Sequence, residues 1–310
     1  MKKSASLAVI VTVINRVDLL RRCLQALDAQ TYRDFCVYVV ANGSDSSVEK
    51  MLADEFPAVH VLSFRQLLGS AGAYKVGLQR AKDDGAQWFW LMDDDVQPDP
   101  NALQELVKIS KLNNSSTFGS VNLDEKNSGQ LCWYNDILVN GTSKQIKRYD
   151  EMPDQPIIES TGIGYMGLFL PAAVLDKVGY PNDRLFIWAD DVDYSIRIRR
   201  AGFRQLFVRR SLVYHPKGNY REFNILGKRG YVVTGKPWRE YYQIRNTIYV
   251  WSVHNGRAKT LLIALPKQVI LWMYVLFKFE DRKWERFWVY LRAFLDGATG
   301  RLGMTIKPDY

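Results

Sequence analysis

The chain has 310 residues, enough for one large α/β domain with an appendage, and its 47% hydrophobic and 24% charged content excludes a disordered or low-complexity protein. Three cysteines, Cys23, Cys36 and Cys132, are an odd number at no metal-ligand spacing, which argues against a disulfide framework or zinc site and fits a reducing compartment. The net charge of +9 is unevenly spread: residues 197–310 hold 23 Lys and Arg against 7 Asp and Glu, leaving 19 against 26 in residues 1–196. A basic, aromatic C-terminal third points to an anionic partner surface, either lipid headgroups or nucleic acid.

The opening residues imitate the start of a signal peptide, but their apolar run passes into Asn15-Arg16 and an amphipathic helix without a small-residue cleavage site. Residues 7–14 are therefore read as a first strand, followed by Leu19, Leu20, Cys23, Leu24 and Leu27 at helical spacing. Residues 36–41 predict a second buried strand, ending in Asn42-Gly43-Ser44-Asp45-Ser46, a turn able to cap a helix that starts near Val48. Residues 59–64 read as a third strand. The small-residue loop 68–73 opens onto a helix through Tyr74, Leu78 and Ala81. Gly69, Ala71 and Gly72 let backbone amides come near phosphate or sugar, and suit a close-packed helix start equally well. Strands alternating with helices predict an α/β fold: a Rossmann-like, mostly parallel sheet flanked by helices, with ligand at the strands' carboxyl ends. No G-x-G-x-x-G joins the first strand and helix, which disfavours a dinucleotide site.

Residues 88–92 are uninterrupted large apolar side chains, a strand buried on both faces, and they stop at Asp93-Asp94-Asp95. Adjacent carboxylates repel one another, and alternation along an extended chain aims Asp93 and Asp95 the same way. That arrangement suits Mg2+ or Mn2+, hard cations that take one or two carboxylates together with substrate phosphates. A solvated acidic turn is the plainer alternative. Residues 117–158 are irregular and predicted to extend the sheet. Gly162, Gly164 and Gly167 then leave room for a ligand beside backbone, or mark a bulge, before a strand at 168–171 and a helix at 172–178.

A second acidic group, Trp188-Ala189-Asp190-Asp191, opens a helix that ends at Ala201-Gly202. A carboxylate at a helix N-terminus gains ~0.3–1 kcal/mol from the dipole, which accounts for one aspartate and not for both. Trp188 offers an apolar platform for a sugar face, and a carboxylate beside it can take a proton from an attacking hydroxyl. Residues 205–208 and 212–215 read as two strands separated by Arg209-Arg210. The second stops at His215, whose neutral imidazole would complete a mixed oxygen and nitrogen shell.

On these residues the chain resembles a family 2 inverting glycosyltransferase of the GT-A fold. Asn15-Arg16, Asn42-Gly43-Ser44, the 69–72 loop, Asp93 to Asp95, and Asp190-Asp191 followed by Ala201-Gly202 stand in that family's order. Within it the chain looks most like bacterial galactofuranosyltransferases, with Asp93-Asp94-Asp95, Trp188-Ala-Asp190-Asp191 and His215 in the places of their metal, catalytic and late histidine motifs. Ala189, inserted between tryptophan and aspartates, departs from the pattern, as does Ala41, where many relatives carry an aspartate that holds uracil. The resemblance implies Mn2+ or Mg2+ bound by Asp93, Asp95 and His215. It implies a nucleotide-sugar donor at Asn15, Arg16, Asn42, Gly69, Ala71, Gly72, Asp93 and Asp94, and an acceptor at Trp188, Asp190, Gly164 and Tyr165. Asp191 would be the general base for an inverting, in-line displacement. The implied reaction extends a bacterial surface polysaccharide, such as an O-antigen, with galactofuranose from UDP-galactofuranose on a lipid-linked glycan acceptor.

Residues 218–235, rich in Gly, Lys and Arg, are expected to form a flap over the donor diphosphate. Residues 1–235 are thereby assigned to a catalytic domain and 236–310 to an aromatic and basic helical region. Trp238, Tyr241, Tyr242 and Arg245 look like an interfacial belt. The apolar stretch 261–277 is broken at Pro266-Lys267-Gln268, short of the ~20 residues a spanning helix needs. A helix pair lying in the cytoplasmic leaflet is expected, with Lys278, Arg282, Lys283 and Arg286 at headgroup level. The expected protein is cytoplasmic and peripheral to the inner face of the plasma membrane, with no nucleic-acid partner and unknown oligomeric state. Ordinary packing of a helical subdomain is the alternative for that region. For the donor the alternative is dTDP-rhamnose, and outside enzymes it is a polysaccharide- or nucleic-acid-binding protein. A nucleotidyltransferase is disfavoured because the N-terminal region lacks a Gly-rich, lysine-containing phosphate loop.

Overall fold

A computed structural model describes residues 5–309 apart from 114, 218, 219, 226, 227, 234 and 280; for 220–225, 228–233, 264 and 279 it describes backbone alone. The first four strands form as β1 (Leu7–Val13), β2 (Cys36–Asn42), β3 (His60–Phe64) and β4 (Trp88–Asp93), alternating with α1 (Val17–Asp28), α2 (Ser46–Glu55) and α3 (Gly69–Asp83). They pair in parallel in the order β3-β2-β1-β4. Ala8 and Ile10 pack toward Tyr74 and Leu78 of α3, while Val9 and Val11 pack toward Leu20 and Leu24 of α1. Because β1 feeds two cores, its sequence shows no polar alternation.

The chain continues through β5 (Gln97–Pro98), α4 (Ala102–Ser110), β6 (Ser116–Asp124), β7 (Asn127–Val139), β8 (Thr142–Arg148), β9 (Ile157–Glu159), β10 (Leu168–Pro171), α5 (Ala172–Val178), α6 (Asp190–Arg200) and β11 (Arg204–His215). α4 goes beyond the predicted elements, although Leu103, Leu106 and Val107 form its buried face at helical spacing. The irregular stretch holds the long strand β6 and the hairpin β7–β8, whose outer side chains are exposed. β11 is one strand rather than two. Arg209 and Arg210 sit in a bulge where its register against β6 shifts between Val208 and Leu212, and Arg209 is held over the Tyr149 ring at 4.9 Å.

β10 pairs antiparallel with both β4 and β6, and β11 pairs parallel with β6. Six strands, β3, β2, β1, β4, β6 and β11, therefore point the same way. The carboxyl ends of β1, β2, β4, β6 and β11 line one edge, where His215 registers against Asp124 and Thr12 against Asp93.

The expected flap segment contains the backbone of a hairpin, β12 (Tyr220–Ile225) with β13 (Lys228–Val233); residues 218, 219, 226, 227 and 234 lie outside the described residues. Helices α7 (Pro237–Asn255), α8 (Arg257–Lys259), α9 (Leu265–Phe279) and α10 (Lys283–Thr299) follow, with a π-helical turn at Thr260–Ala264. Trp238, Tyr241, Tyr242 and Arg245 are not an interfacial belt. All four are buried, in a core that α7 shares with Trp272 of α9, Tyr290 of α10 and Phe186 of the loop before α6. Arg286, expected among headgroups, is buried too and forms an ion pair with Glu240 of α7. Phe186 thus lies on one side of the 235/236 boundary and its core on the other. Among the described residues no single helix is long and apolar enough to cross a membrane; the pair 257–263 and 265–278, bent by 46°, reaches that length and composition together.

Candidate active site

β4 delivers the aspartate triplet to the carboxyl edge of the sheet, and the structure gives each carboxylate a different environment. Asp94 is fully buried and chelated by Arg16, whose Nε donates at 2.9 Å and whose Nη2 reaches the other carboxylate oxygen. Burial pushes Asp94 up to about 7 against the pull of that guanidinium. Arg16 also donates to Asp95 at 2.8 Å, so a side chain 78 residues earlier supplies the cation that makes the triplet tolerable. Asp93 accepts from the Tyr74 hydroxyl at 2.6 Å and from Thr12 at 3.3 Å. Its carboxyl is raised by burial and then by the charge of Asp95.

Asp95 Oδ1 lies 3.2 Å from His215 Nε2, at the end of β11. The contact is an ion pair without hydrogen-bond alignment, and Asp95 Oδ1 is a buried oxygen that no donor among the described residues satisfies. Burial opposes charge on His215, but the Asp95 carboxylate prevails and lifts the imidazole to about 10. Two ligand-type atoms facing each other, one of them an orphan, fit a divalent cation that draws its other ligands from water and phosphate. Among the described residues no three His, Cys, Asp or Glu side chains converge as a closed metal shell.

The remaining residues assigned to the donor have partners within the protein. The Asn15 Oδ1 accepts from the Asp45 amide at 2.7 Å. Buried Asn42 brackets the start of α3, accepting from the Leu68 amide at 2.6 Å and donating to the Gly69 carbonyl at 3.1 Å. Gly69 has φ +75°, and a Cβ there would lie 2.1 Å from the carbonyl oxygen of Phe186. Ala71 donates its amide to that same oxygen at 3.3 Å, and a Cβ on Gly72 would crowd Leu68. The small residues of this loop therefore bring α3 against the loop that precedes α6.

That loop presents the second acidic group. Asp190 is buried and accepts from Ser70 of α3 at 2.7 Å; Asp191 accepts from the Val192 amide at 2.8 Å. Both carboxyls are raised above the ordinary range, first by burial; Asp190, at about 8, is lifted further by Asp191, and Asp93 acts on both. Ser70 and Tyr74, one turn apart on α3, bond Asp190 and Asp93 respectively, which makes the two acidic groups neighbours. Tyr165 joins them physically: its ring packs on Tyr74 with centroids 4.5 Å apart, and its buried hydroxyl has no partner among the described residues. Gly164 lacks the Cβ that would stand 3.0 Å from Asp191 Oδ2, and Trp188 is half-buried beside the pair.

Asp191 opens on a cleft of about 360 Å³ walled by Trp133, Tyr134 and Asp136 of β7, by Gly164 and Met166, and by Ser195 of α6. The β7 wall escaped the sequence reading, which took residues 117–158 as an irregular stretch extending the sheet and placed no ligand contact there. The Ser70–Asp190 and Tyr74–Asp93 contacts were also unforeseen, and only the position of Ser70 and Tyr74 on the small-residue loop and its helix hinted at them.

The family model for "Glycosyl transferase family 2" matches residues 8–174, more than half of the chain. The galactofuranosyltransferase GlfT1 of Mycolicibacterium smegmatis is 25% identical over 290 residues, covering 92% of this chain and 94% of that protein. GlfT1 of Mycobacterium tuberculosis is 27% identical over 253 residues, covering 80% and 82%. Among solved structures, Staphylococcus aureus TarS 1-349 aligns with a TM-score of 0.60 at 12% identity, over 96% of this chain and 82% of that one. GalNAc-T7, crystallised with UDP, GalNAc and Mn2+, aligns with a TM-score of 0.59 at 16% identity, over 82% and 48%. The structural likenesses carry the GT-A fold alone. With the family match, the similarity to galactofuranosyltransferases over most of its length and this fold, the chain belongs to glycosyltransferase family 2.

Proposed function

We propose that this glycosyltransferase moves galactofuranose from UDP-galactofuranose to a hydroxyl of a glycan acceptor with inversion, using Asp191 as the general base. The observation that carries the proposal is that α3 ties the two acidic groups together, Tyr74 donating to Asp93 and Ser70, one turn earlier, to Asp190, while Asp191 lines a cleft. The relatives named as galactofuranosyltransferases support the donor sugar, and neighbours crystallised with UDP or UDP-GlcNAc support a uridine diphosphate. Asp95 and His215 would hold Mn2+ or Mg2+, with water and the diphosphate supplying the other ligands, while Asp93 is held by Tyr74 and Thr12 and makes no third member of a protein shell. When bound, such an ion supplies the positive charge that stabilises a departing diphosphate.

The acceptor hydroxyl enters between the β7 wall and Gly164, where the missing Cβ lets it reach Asp191 Oδ2. Asp191 takes its proton as the oxygen attacks the anomeric carbon. Asp190, held by Ser70, and the Tyr165 hydroxyl, which has no partner among the described residues, orient the sugar, and Trp188 packs on its apolar face. A leaving diphosphate needs no protonation, so no second acid is required, in contrast to glycoside hydrolysis.

A lipid-linked acceptor is supported by the outer face of the C-terminal helices. Leu262, Ile270, Phe277, Trp284, Trp288 and Leu295 are all more than half exposed, and Arg257, Lys259, Lys267 and Lys283 are exposed around them. Such a face suits peripheral attachment to an anionic bilayer, here the cytoplasmic side of the plasma membrane. The deciding experiment incubates the protein with a panel of nucleotide sugars, acceptor glycan and Mn2+, with and without chelator, and follows nucleoside diphosphate release. Release from UDP-galactofuranose that chelator abolishes is expected; preference for dTDP-rhamnose overturns the donor, and equal rates with chelator overturn the metal.

A further inference from the structure

We propose that Asn246, on α7, is a positioning residue that holds the left-handed turn presenting Asp190 and Asp191; this rests on the reading of Asp191 as base. The turn is unusual. Phe186 has φ 71° and ψ −68°, and the Ile187 amide donates to the Leu185 carbonyl at 2.9 Å, closing a three-residue γ-turn of the rare, strained hand. Trp188 and Ala189 follow with φ 72° and 58°. No glycine occurs from 185 to 190, so three side-chain-bearing residues occupy a region that persists only where surrounding structure enforces it.

The enforcement comes from α7. Asn246 is fully buried, and its Nδ2 donates to the carbonyls of Leu185 at 2.9 Å, Ile187 at 2.8 Å and Trp188 at 2.8 Å. Its orientation is fixed by Arg245, whose Nε donates to Asn246 Oδ1 at 2.8 Å and whose Nη2 reaches the Leu185 carbonyl at 3.0 Å. The amide NH2 brings two hydrogens to three converging carbonyls, so one is shared and Arg245 completes the donation at Leu185; a carboxylate of the same shape would repel them. α6 starts at Asp190, directly after Ala189, so backbone rotation at 189 swings both carboxylates. A second bond from α7 reaches α6 one turn on, where His254 Nε2 and Asp193 Oδ1 lie 2.9 Å apart.

The test compares Asn246→Ala and Asn246→Asp with the full-length parent, using the nucleotide sugar identified as donor. We expect kcat to fall about 100-fold, the cost of misplacing a reacting group by an ångström. UDP affinity should stay within about threefold, since Asn246 bonds the carbonyls of Leu185, Ile187 and Trp188 and not the Phe186 carbonyl that meets the Gly69–Ala71 loop. The acid limb of the pH–rate profile should move down by about half a unit or more as the loosened turn admits water to the carboxyls. Adding Ala189→Gly to Asn246→Ala should recover kcat about fivefold, because glycine accepts the left-handed conformation without enforcement. Unchanged kcat overturns the proposal. So does parallel loss of kcat, UDP affinity and melting temperature with a fixed acid limb and no recovery by Ala189→Gly, which marks a merely structural residue. If Asn246→Ala fails to fold, Asn246→Ser is read by the same criteria, and failure of both to fold also overturns it. Asp191→Asn run alongside separates the underlying reading: activity retained there removes Asp191 as base, whatever the Asn246 variants do.

Discussion

Asp191 and Asp190 show how burial sets chemistry one side chain at a time. A carboxylate in water holds its proton too weakly to be much of a base, and burial at the start of α6 raises both carboxyls. Asp191 must be ionised to accept a proton, so turnover falls as pH drops through its raised pKa. The acid limb of kcat/KM should therefore lie above the ordinary carboxylate value of about 4, measured by diphosphate release across pH. Asp191→Asn should lower kcat by about 1000-fold while leaving UDP binding in calorimetry intact. Arg16 makes the complementary case. Removing its guanidinium leaves buried Asp94 without its counter-charge, and Arg16→Leu should lower stability by about 2 kcal/mol in denaturant titration. Asp93 to Asp95 were legible in sequence as a charged strand end, but the cation beside them was sought in solvent. Arg16 was assigned to the donor because a contact between residues 78 positions apart leaves no trace in local pattern.

The strands of the parallel half were the easiest elements to foresee, since a strand buried on both faces has to be a continuous apolar run, as residues 88–92 are. β7 and β8 were obscured for the opposite reason: a hairpin with one wet face mixes polar and apolar residues as a loop does. α7 misled differently. Its tyrosines, tryptophan and arginines have the composition of a membrane interface, yet Tyr241, Tyr242 and Arg245 spend their polar ends on Asp296, on the Ile306 carbonyl and on the Gly303 carbonyl. The start of α3 carries a sharper prediction. Gly69→Ala puts a methyl into the Phe186 carbonyl at positive φ, and should cost about 2–3 kcal/mol in the same titration and reduce kcat as well.

At the scale of the whole molecule, α7 lies between the catalytic loop on one side and α10 with the C-terminal tail on the other. A chain ending at residue 235 would expose Phe186 and leave the carbonyls of Leu185, Ile187 and Trp188 without Asn246. Such a truncation should lose cooperative thermal unfolding rather than yield a detached soluble enzyme, as calorimetry would reveal. Attachment to bilayers should reside elsewhere, on the outer face of α9 and α10. Flotation with anionic vesicles is expected for the parent, weaker with neutral ones, and Trp284→Ser with Trp288→Ser should reduce it about tenfold while diphosphate release persists.

One oxygen atom has an outsized evolutionary reach. The Phe186 carbonyl accepts the Ala71 amide and leaves no space for a side chain at Gly69, so the loop that opens α3 and the loop that opens α6 are clamped at a common point. Drift in either drags the other. New sugar preferences are then more cheaply acquired along the β7 wall, at Trp133, Tyr134 and Asp136, which touches the cleft without touching the clamp, and laboratory selection for altered acceptors should enrich substitutions there first.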